Sequence, residues 1–257
     1  MIILLTNFML LSGNDIPFVN GRVNIRQPRL KDIALIGEEN FFLGCGMLNF
    51  SKDLLNISDK TVLDNYTDFD ILLTLLKAKN GEQELKNSIT ATLQVLTLMF
   101  PDRKIIFDER EILLKLDDNN IGVINNINYL EFKEILIKMF NLSNMSNLQD
   151  YNPEGSSAQR IAKKLKERHR QLAKKMGSKG TDIFGRYVSI LAVGESKDIN
   201  ELFQYTVYQL YDEIARFNAK REYDTIFKAK LAGAQNLNEA QDWTLDLNEE
   251  NKKNKNK

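Results

Sequence analysis

The chain has one cysteine, one histidine, one tryptophan and four prolines in 257 residues. A single Cys45 excludes an intrachain disulfide, which fits a reducing compartment. One cysteine and one histidine, far apart in the chain, cannot supply the ligand cluster of a structural zinc site. Cys45 has no histidine near it in sequence, so a small buried residue is the expectation rather than a nucleophile. His169 sits between Arg168 and Arg170 and reads as a surface residue of a basic helix. No stretch is apolar for long enough to cross a bilayer as a helix. The apolar start, Met1 to Leu11, lacks the charged opening and small-residue cleavage site of a secretory signal. It reads as a buried first strand, in a protein expected to be soluble and intracellular. Formal net charge is zero, so the whole molecule is not an obvious polyanion binder.

At 43% hydrophobic and 27% charged, the composition is that of a globular protein with enough length for one large core or two modest ones. Abundant asparagine, lysine and isoleucine point to an AT-rich coding genome. The fold expected is mainly α, with a small N-terminal β-hairpin or sheet. Four segments follow from composition. Residues 1–145 form an acidic, mostly helical part with β elements, and 1–150 hold 15 Lys/Arg against 20 Asp/Glu. Residues 146–157 form a linker, inside an Asn/Ser-rich stretch (141–157) that reads equally as an ordered loop. Residues 158–243 form a helical part, and 244–257 a disordered tail.

In the first part, Asn20-Gly21 is the strongest hairpin signal, with arms at Phe18-Val19 and Val23–Ile25. A helix is expected from Leu30 to Glu39. Gly44 and Gly46 flank Cys45, marking a tight backbone approach that matches no phosphate-cradling loop. Short helical turns are expected at 51–55 and 59–66. Helices at 68–79 and 84–99, ended by Pro101, read as a helical hairpin. The apolar side of its second helix is expected at Leu85, Ile89, Leu93, Leu96 and Met99. Strands are expected at 104–107 and 111–116. A last helix through Phe140 opens with Asn128 and Glu131, which resemble a capping box. Asp68 with Asp70, and Asp117 with Asp118, are types that hold a hard cation, but helix starts and turns explain them more simply.

The basic stretch 158–176 keeps a helical stripe and carries Arg160, Lys163, Lys164, Arg168, Arg170, Lys174 and Lys175. Three readings stay open: a solvated or intramolecular face, an acidic-partner site, or a phosphate site on nucleic acid. No helix-turn-helix and no stacking aromatics accompany it. A helix over 184–192 follows, then Asp198 as an N-cap, then a long amphipathic element from Leu202 to Trp243, as one helix or two with a short break. Its aromatics make it the candidate partner-binding face: Tyr208, Tyr211, Phe217, Tyr223, Phe227 and Trp243. A core stripe is the competing reading.

The pattern YDEIARFNAKREYDTIFKAKLAGAQNLNEAQDW, residues 211–243, is similar to the C-terminal end of tail assembly chaperones or related tail-module proteins of phages of Gram-positive bacteria. There a helix, an Ala-Gly-Ala segment and a tryptophan fall close together, as Leu231–Ala234 and Trp243 do here. Such chaperones are generally smaller, and the first 150 residues take no part in the resemblance. It implies a non-enzymatic, oligomerising protein that binds hydrophobic segments of a tape measure protein. Action is expected in the cytoplasm of the bacterial host during phage assembly, and the residues themselves point to no metal, cofactor or membrane. The alternative is a nucleic-acid-associated protein using the basic helix at 160–175.

Overall fold

The computed structural model describes residues 5–19, 21–52, 65–78, 83–117, 121–142, 182–234 and 243–244. Within them the chain is mainly α-helical, with two small antiparallel sheets. Its first element is a helix, α1 (Asn7–Ser12), where a strand was expected. The Thr6 side chain accepts a hydrogen bond from the Met9 N–H, and Gly13 closes the helix at φ +67°. A cap at each end makes a single turn and a half worthwhile where apolar content alone suggested a strand.

The hairpin forms where Asn20-Gly21 placed it. β1 (Ile16–Phe18) pairs with β2 (Val23–Ile25), Phe18 facing Val23 and Ile16 facing Ile25. These four side chains are buried, as period-two alternation requires. The expected helix at 30–39 is divided by Gly37, at φ +84°, into α2 (Leu30–Ile36) and α3 (Glu38–Leu48). In α2, Ile33 is buried and Ile36 half-buried, while Ala34 is exposed. The Gly44-Cys45-Gly46 run is helical, inside α3. Cys45 is fully buried, and burial pushes its thiol well up.

Gly44 explains the next correction. A Cβ there would lie 2.5 Å from the Ala91 carbonyl oxygen and 2.7 Å from Val95 Cγ2. The close approach expected from the glycines is therefore helix against helix. It seats α5 (Gln83–Met99) mainly on α3, rather than in a hairpin with α4 (Asp68–Leu76). It also turns α5 so that Ala91, Thr92, Val95, Leu96 and Met99 are buried, while Leu85, Ile89 and Leu93 are only half-buried.

Thr67 and Asp70 form a capping box on α4, and Asn126 Nδ2 donates to Asp70 Oδ1 at 2.8 Å. Asp68 pairs with Lys133 Nζ at 3.3 Å and accepts from the Lys52 N–H. Capping and ion pairing thus account for both carboxylates weighed as a cation pair. β3 (Lys104–Phe107) and β4 (Ile112–Lys115) form where strands were expected and pair antiparallel. A third strand, β5 (Ile121–Ile124), extends the sheet and had no place in the sequence reading. Asn128 opens α6 (Tyr129–Met139) but makes no side-chain cap. Its oxygen instead accepts from the Asn125 N–H and its amide donates to the Val123 carbonyl, so the box with Glu131 does not form.

The second part contributes α7 (Ile183–Glu195), α8 (Ile199–Leu202) and α9 (Val207–Leu231). Asp198 caps α8 as expected, accepting from the Asn200 N–H at 2.6 Å. The expected turns at 51–55 and 59–66 fall mostly outside the described residues. The linker, the basic helix and the tail beyond 244 lie wholly outside them. One hydrophobic core joins both parts, running from Leu10 and Phe18 through Phe41, Val95 and Phe140 to Phe184, Leu210 and Phe217.

Two alanine substitutions in α3 separate packing from helix propensity. Gly44→Ala is expected to destabilise the protein by about 1–3 kcal/mol, because overpacking against Ala91 exceeds the propensity gain. Gly46→Ala, with nothing within 4 Å of its added carbon, is expected to stabilise by about 0.5–1 kcal/mol. Urea unfolding midpoints of the two variants would check this, and equal effects at both positions would refute the close packing.

Candidate functional site

The C-terminal helices are held by helix ends that complete one another. An isolated α-helix leaves its first N–H groups without partners. The first two of α2, on Leu30 and Lys31, donate to the carbonyls of Tyr205 and Phe203 at 2.9 and 3.0 Å. Those carbonyls belong to the break between α8 and α9. At the same place Arg29 and Thr206 form an antiparallel β-bridge. The N–H groups opening α7 find the Glu38 carboxylate: Ile183 donates at 2.7 Å and Phe184 at 3.2 Å. Gln209 Nε2, in the first turn of α9, donates to the Leu11 carbonyl at the end of α1 at 2.7 Å.

α9 itself begins with strong local chemistry. Thr206 accepts from the Gln209 N–H, and the Gln209 side chain accepts from the Thr206 N–H, a reciprocal capping box. Of the two readings of the long amphipathic stretch, one helix or two with a short break, the structure gives one long helix, preceded by a four-residue interruption at Phe203–Thr206 that sets Leu202 in α8. Lys197, in the turn after α7, ties this corner down. Its ammonium contacts Glu213 at 2.6 Å and Glu195 at 3.2 Å and lies over the Tyr205 ring. Burial works against its charge, but the bonds to Glu213 and Tyr205 outweigh it and hold the group above its ordinary value.

Of the six aromatic residues proposed as a partner-binding face, the five on α9 separate into two sets along it. Tyr208 and Phe217 are buried in the chain's own core. Tyr211 is half-buried, its ring edge-on to Tyr187 at 5.8 Å and to Phe184 at 6.2 Å. Burial raises its phenol, with Tyr187 and Glu38 adding to the effect. Phe217 lies against Gly194, where no larger residue would fit. For these three residues the core reading is what the structure displays.

The last buried residue of α9 is Ala219. Past it, Tyr223 is 42% exposed, Phe227 52% and Leu231 74%. The Tyr223 and Phe227 rings are stacked, 6.3 Å between centroids and 4° from parallel. Tyr223 follows Phe217 by six positions. At 3.6 residues per turn that interval rotates the side chain by about 120° away from the core face. The distal trio, each four residues from the next, makes a second apolar stripe that points elsewhere.

Trp243 packs back on α9. Its carbonyl accepts from Arg216 Nη1 at 3.1 Å, and Lys220 Nζ sits 5.9 Å from the centre of its ring. The small-residue segment before it ends the helix: Gly233 adopts φ +87°, and the Ala234 N–H donates to the Ala229 carbonyl at 3.0 Å. The basic set, Arg160, Lys163, Lys164, Arg168, Arg170, Lys174 and Lys175, lies outside the described residues. Among the described residues no cluster of three or more His, Cys, Asp or Glu could hold a metal ion, and no helix is long and apolar enough to cross a membrane. Glu38 had no part in the sequence reading. Its role is a contact across 145 residues that no local pattern announces.

Residues 183–248 match the family model described as the YomV second domain, a family derived from a Bacillus phage. The match begins at the first residue of α7 and takes in α8, α9, the Gly233 turn and Trp243. It covers about a quarter of the chain, so it is a similarity of this segment, and it fits a phage-related protein. No curated protein and no solved structure matches the chain.

The Glu38 cap predicts a pH effect. Burial raises its carboxyl above the ordinary 4.5, and the bonds from Ile183 and Phe184 oppose that shift without cancelling it. The folded state then holds the proton more tightly than the unfolded chain. The contribution of Glu38 is most favourable at low pH and declines as pH rises from 4.5 through the raised value. Glu38→Gln keeps an oxygen for both N–H groups and should flatten this decline, leaving the variant at least as stable as the parent above the window. Glu38→Ala orphans the two donors and should cost about 1 kcal/mol. Denaturant unfolding on both sides of the window checks both, and an Ala variant as stable as the parent would rule out the cap.

Proposed function

We propose that this chain is a non-enzymatic, phage-associated assembly protein that binds a partner protein through the distal half of α9. The observation that carries this reading is the stacked, exposed Tyr223–Phe227 pair, continued by Leu231, on a helix that outruns its own core. Aromatic side chains on a rigid helix bury much area for little conformational entropy, the usual composition of an interface centre. The proximal half of α9 is fastened by the Thr206–Gln209 box, the Lys197 ion pairs and the contacts to residues 29–31. The distal half is thereby presented in a fixed direction.

Two lines support the phage setting: the segment match at 183–248, and the resemblance of 211–243 to tail-module proteins. The partner that fits best is a protein offering an apolar amphipathic helix, such as a segment of a tape measure protein. Helix-in-groove or helix-on-helix packing would bury the Tyr223, Phe227 and Leu231 side chains together. The binding work asked of this site is burial and register, with no bond made or broken.

Phe227→Asp should leave the circular dichroism spectrum and melting temperature near those of the parent, since the ring is half out of the fold. It should weaken capture of tape measure helical peptides by about tenfold or more. Titration calorimetry with those peptides would measure it, and unchanged affinity would remove the distal face as the binding surface. Phe217→Asp serves as the contrast, since it should lower stability directly by burying a carboxylate in the core.

A further inference from the structure

We propose that the cleft between the end of α7 and the middle of α9 takes one carboxylate of the partner helix, so that the partner carries Asp or Glu beside its apolar stripe. This rests on the reading of the distal face as a protein-binding surface and adds a chemical requirement on what it binds. The cleft has a volume of about 640 Å³. Its floor is the Phe217 ring, lying against Gly194, whose missing side chain leaves room for it.

Two cations line this cleft without a carboxylate of their own. Lys220 Nζ lies 5.9 Å from the centre of the Trp243 ring, and the Arg221 guanidinium 5.5 Å from the centre of the Phe217 ring. Asp224 lines the same cleft, four positions from Lys220 and three from Arg221. Those are the spacings at which ion pairs form along a helix. Neither pair forms here, and among the described residues both cations are held on rings instead. A guanidinium seated over a ring keeps its N–H fork available to a carboxylate, which it binds through two parallel bonds.

The charge balance selects the ligand. Lys197 is spent on Glu195 and Glu213. Lys220 and Arg221 against Asp224 leave one positive charge in excess, which suits one carboxylate. A nucleic acid backbone, with one charge per about 1.7 Å of duplex, would set further phosphates against Glu195, Asp224 and the carbonyl end of α7. The position suits a helix lying on the distal stripe. Counted from Phe227 at the middle of that stripe, Lys220 stands about 20° round α9 and Arg221 about 120° on the same side. The cleft between them is centred about 70° from the stripe, the offset from which flanking residues of paired helices reach across to one another.

Titration calorimetry of the full chain tests this with tape measure helical peptides that carry Asp or Glu, each beside a copy with Asn and Gln in their place. The acidic peptides should bind about tenfold more tightly than their amide copies at low salt, and the gap should narrow as salt rises. Arg221→Gln and Lys220→Gln should each close most of the gap while leaving the amide copies within about twofold of their parent affinity. Arg221→Glu should turn the preference toward copies with Lys in place of the acids. Both side chains are exposed, so folding survives, and circular dichroism confirms it.

Equal affinity for the acidic peptides and their amide copies overturns the carboxylate site, as does a gap that survives both Gln variants. If Phe227→Asp still abolishes binding in either case, the distal face stands and the cleft alone is overturned. A chain that captures none of the peptides overturns the protein-binding reading with it.

Discussion

Helix ends in this protein are finished by residues distant in sequence, and the rest of the structure depends on that. The first N–H groups of α2 take the carbonyls freed where α8 stops and α9 has not begun. The first N–H groups of α7 take a carboxylate from the start of α3. An unpaired buried backbone group costs as much as a lost hydrogen bond or more. Each of these ends is therefore stable only when the C-terminal helices are docked. The match to a phage-derived domain begins at Ile183, the residue that Glu38 caps. In this chain, the segment resembling that domain is built into a core it shares with the preceding residues.

Docking divides α9 into two halves with different physical roles. Up to Ala219 its apolar residues complete the core, with Leu210, Ile214 and Phe217 facing inward. From Lys220 on, the helix continues on its own hydrogen bonds and displays Tyr223, Phe227 and Leu231. A helix that projects keeps its direction only if its base is rigid. The Lys197 ion pairs, the Thr206–Gln209 box and the Gln209 contact to α1 provide that base. Arg216 and Lys220, holding Trp243, extend the support to the edge of the exposed stripe.

Much of this was legible locally. Asn20-Gly21 located the hairpin, Pro101 the end of α5, and Asp198 the start of α8. Gly44 announced a close approach, though only the packing revealed that its neighbour is Ala91. The distal stripe was also legible in one respect: the six-residue interval from Phe217 to Tyr223 breaks the three-and-four spacing and turns the later aromatics off the core face. Other features had no local sign. Thr6 and Gly13 made a helix from residues whose apolar character suggested a strand. β5 is a strand because β4 offers it a free edge, and its own four residues, Ile121 to Ile124, carry little pattern.

By itself the sequence determined the helical class, the hairpin and the amphipathic character of the stretch after Leu202, because helix period, turn chemistry and capping act within a few residues. The tertiary structure alone decided which aromatics of that stretch serve the core and which face outward. Burial depends on what else arrives at the same place: Gly194 leaves room for the Phe217 ring, and nothing in the described fold reaches past Ala219 to cover Tyr223 and Phe227. It also decided that Glu38 would cap a helix 145 residues away, since an orphan N–H is satisfied by whichever acceptor packing brings within reach.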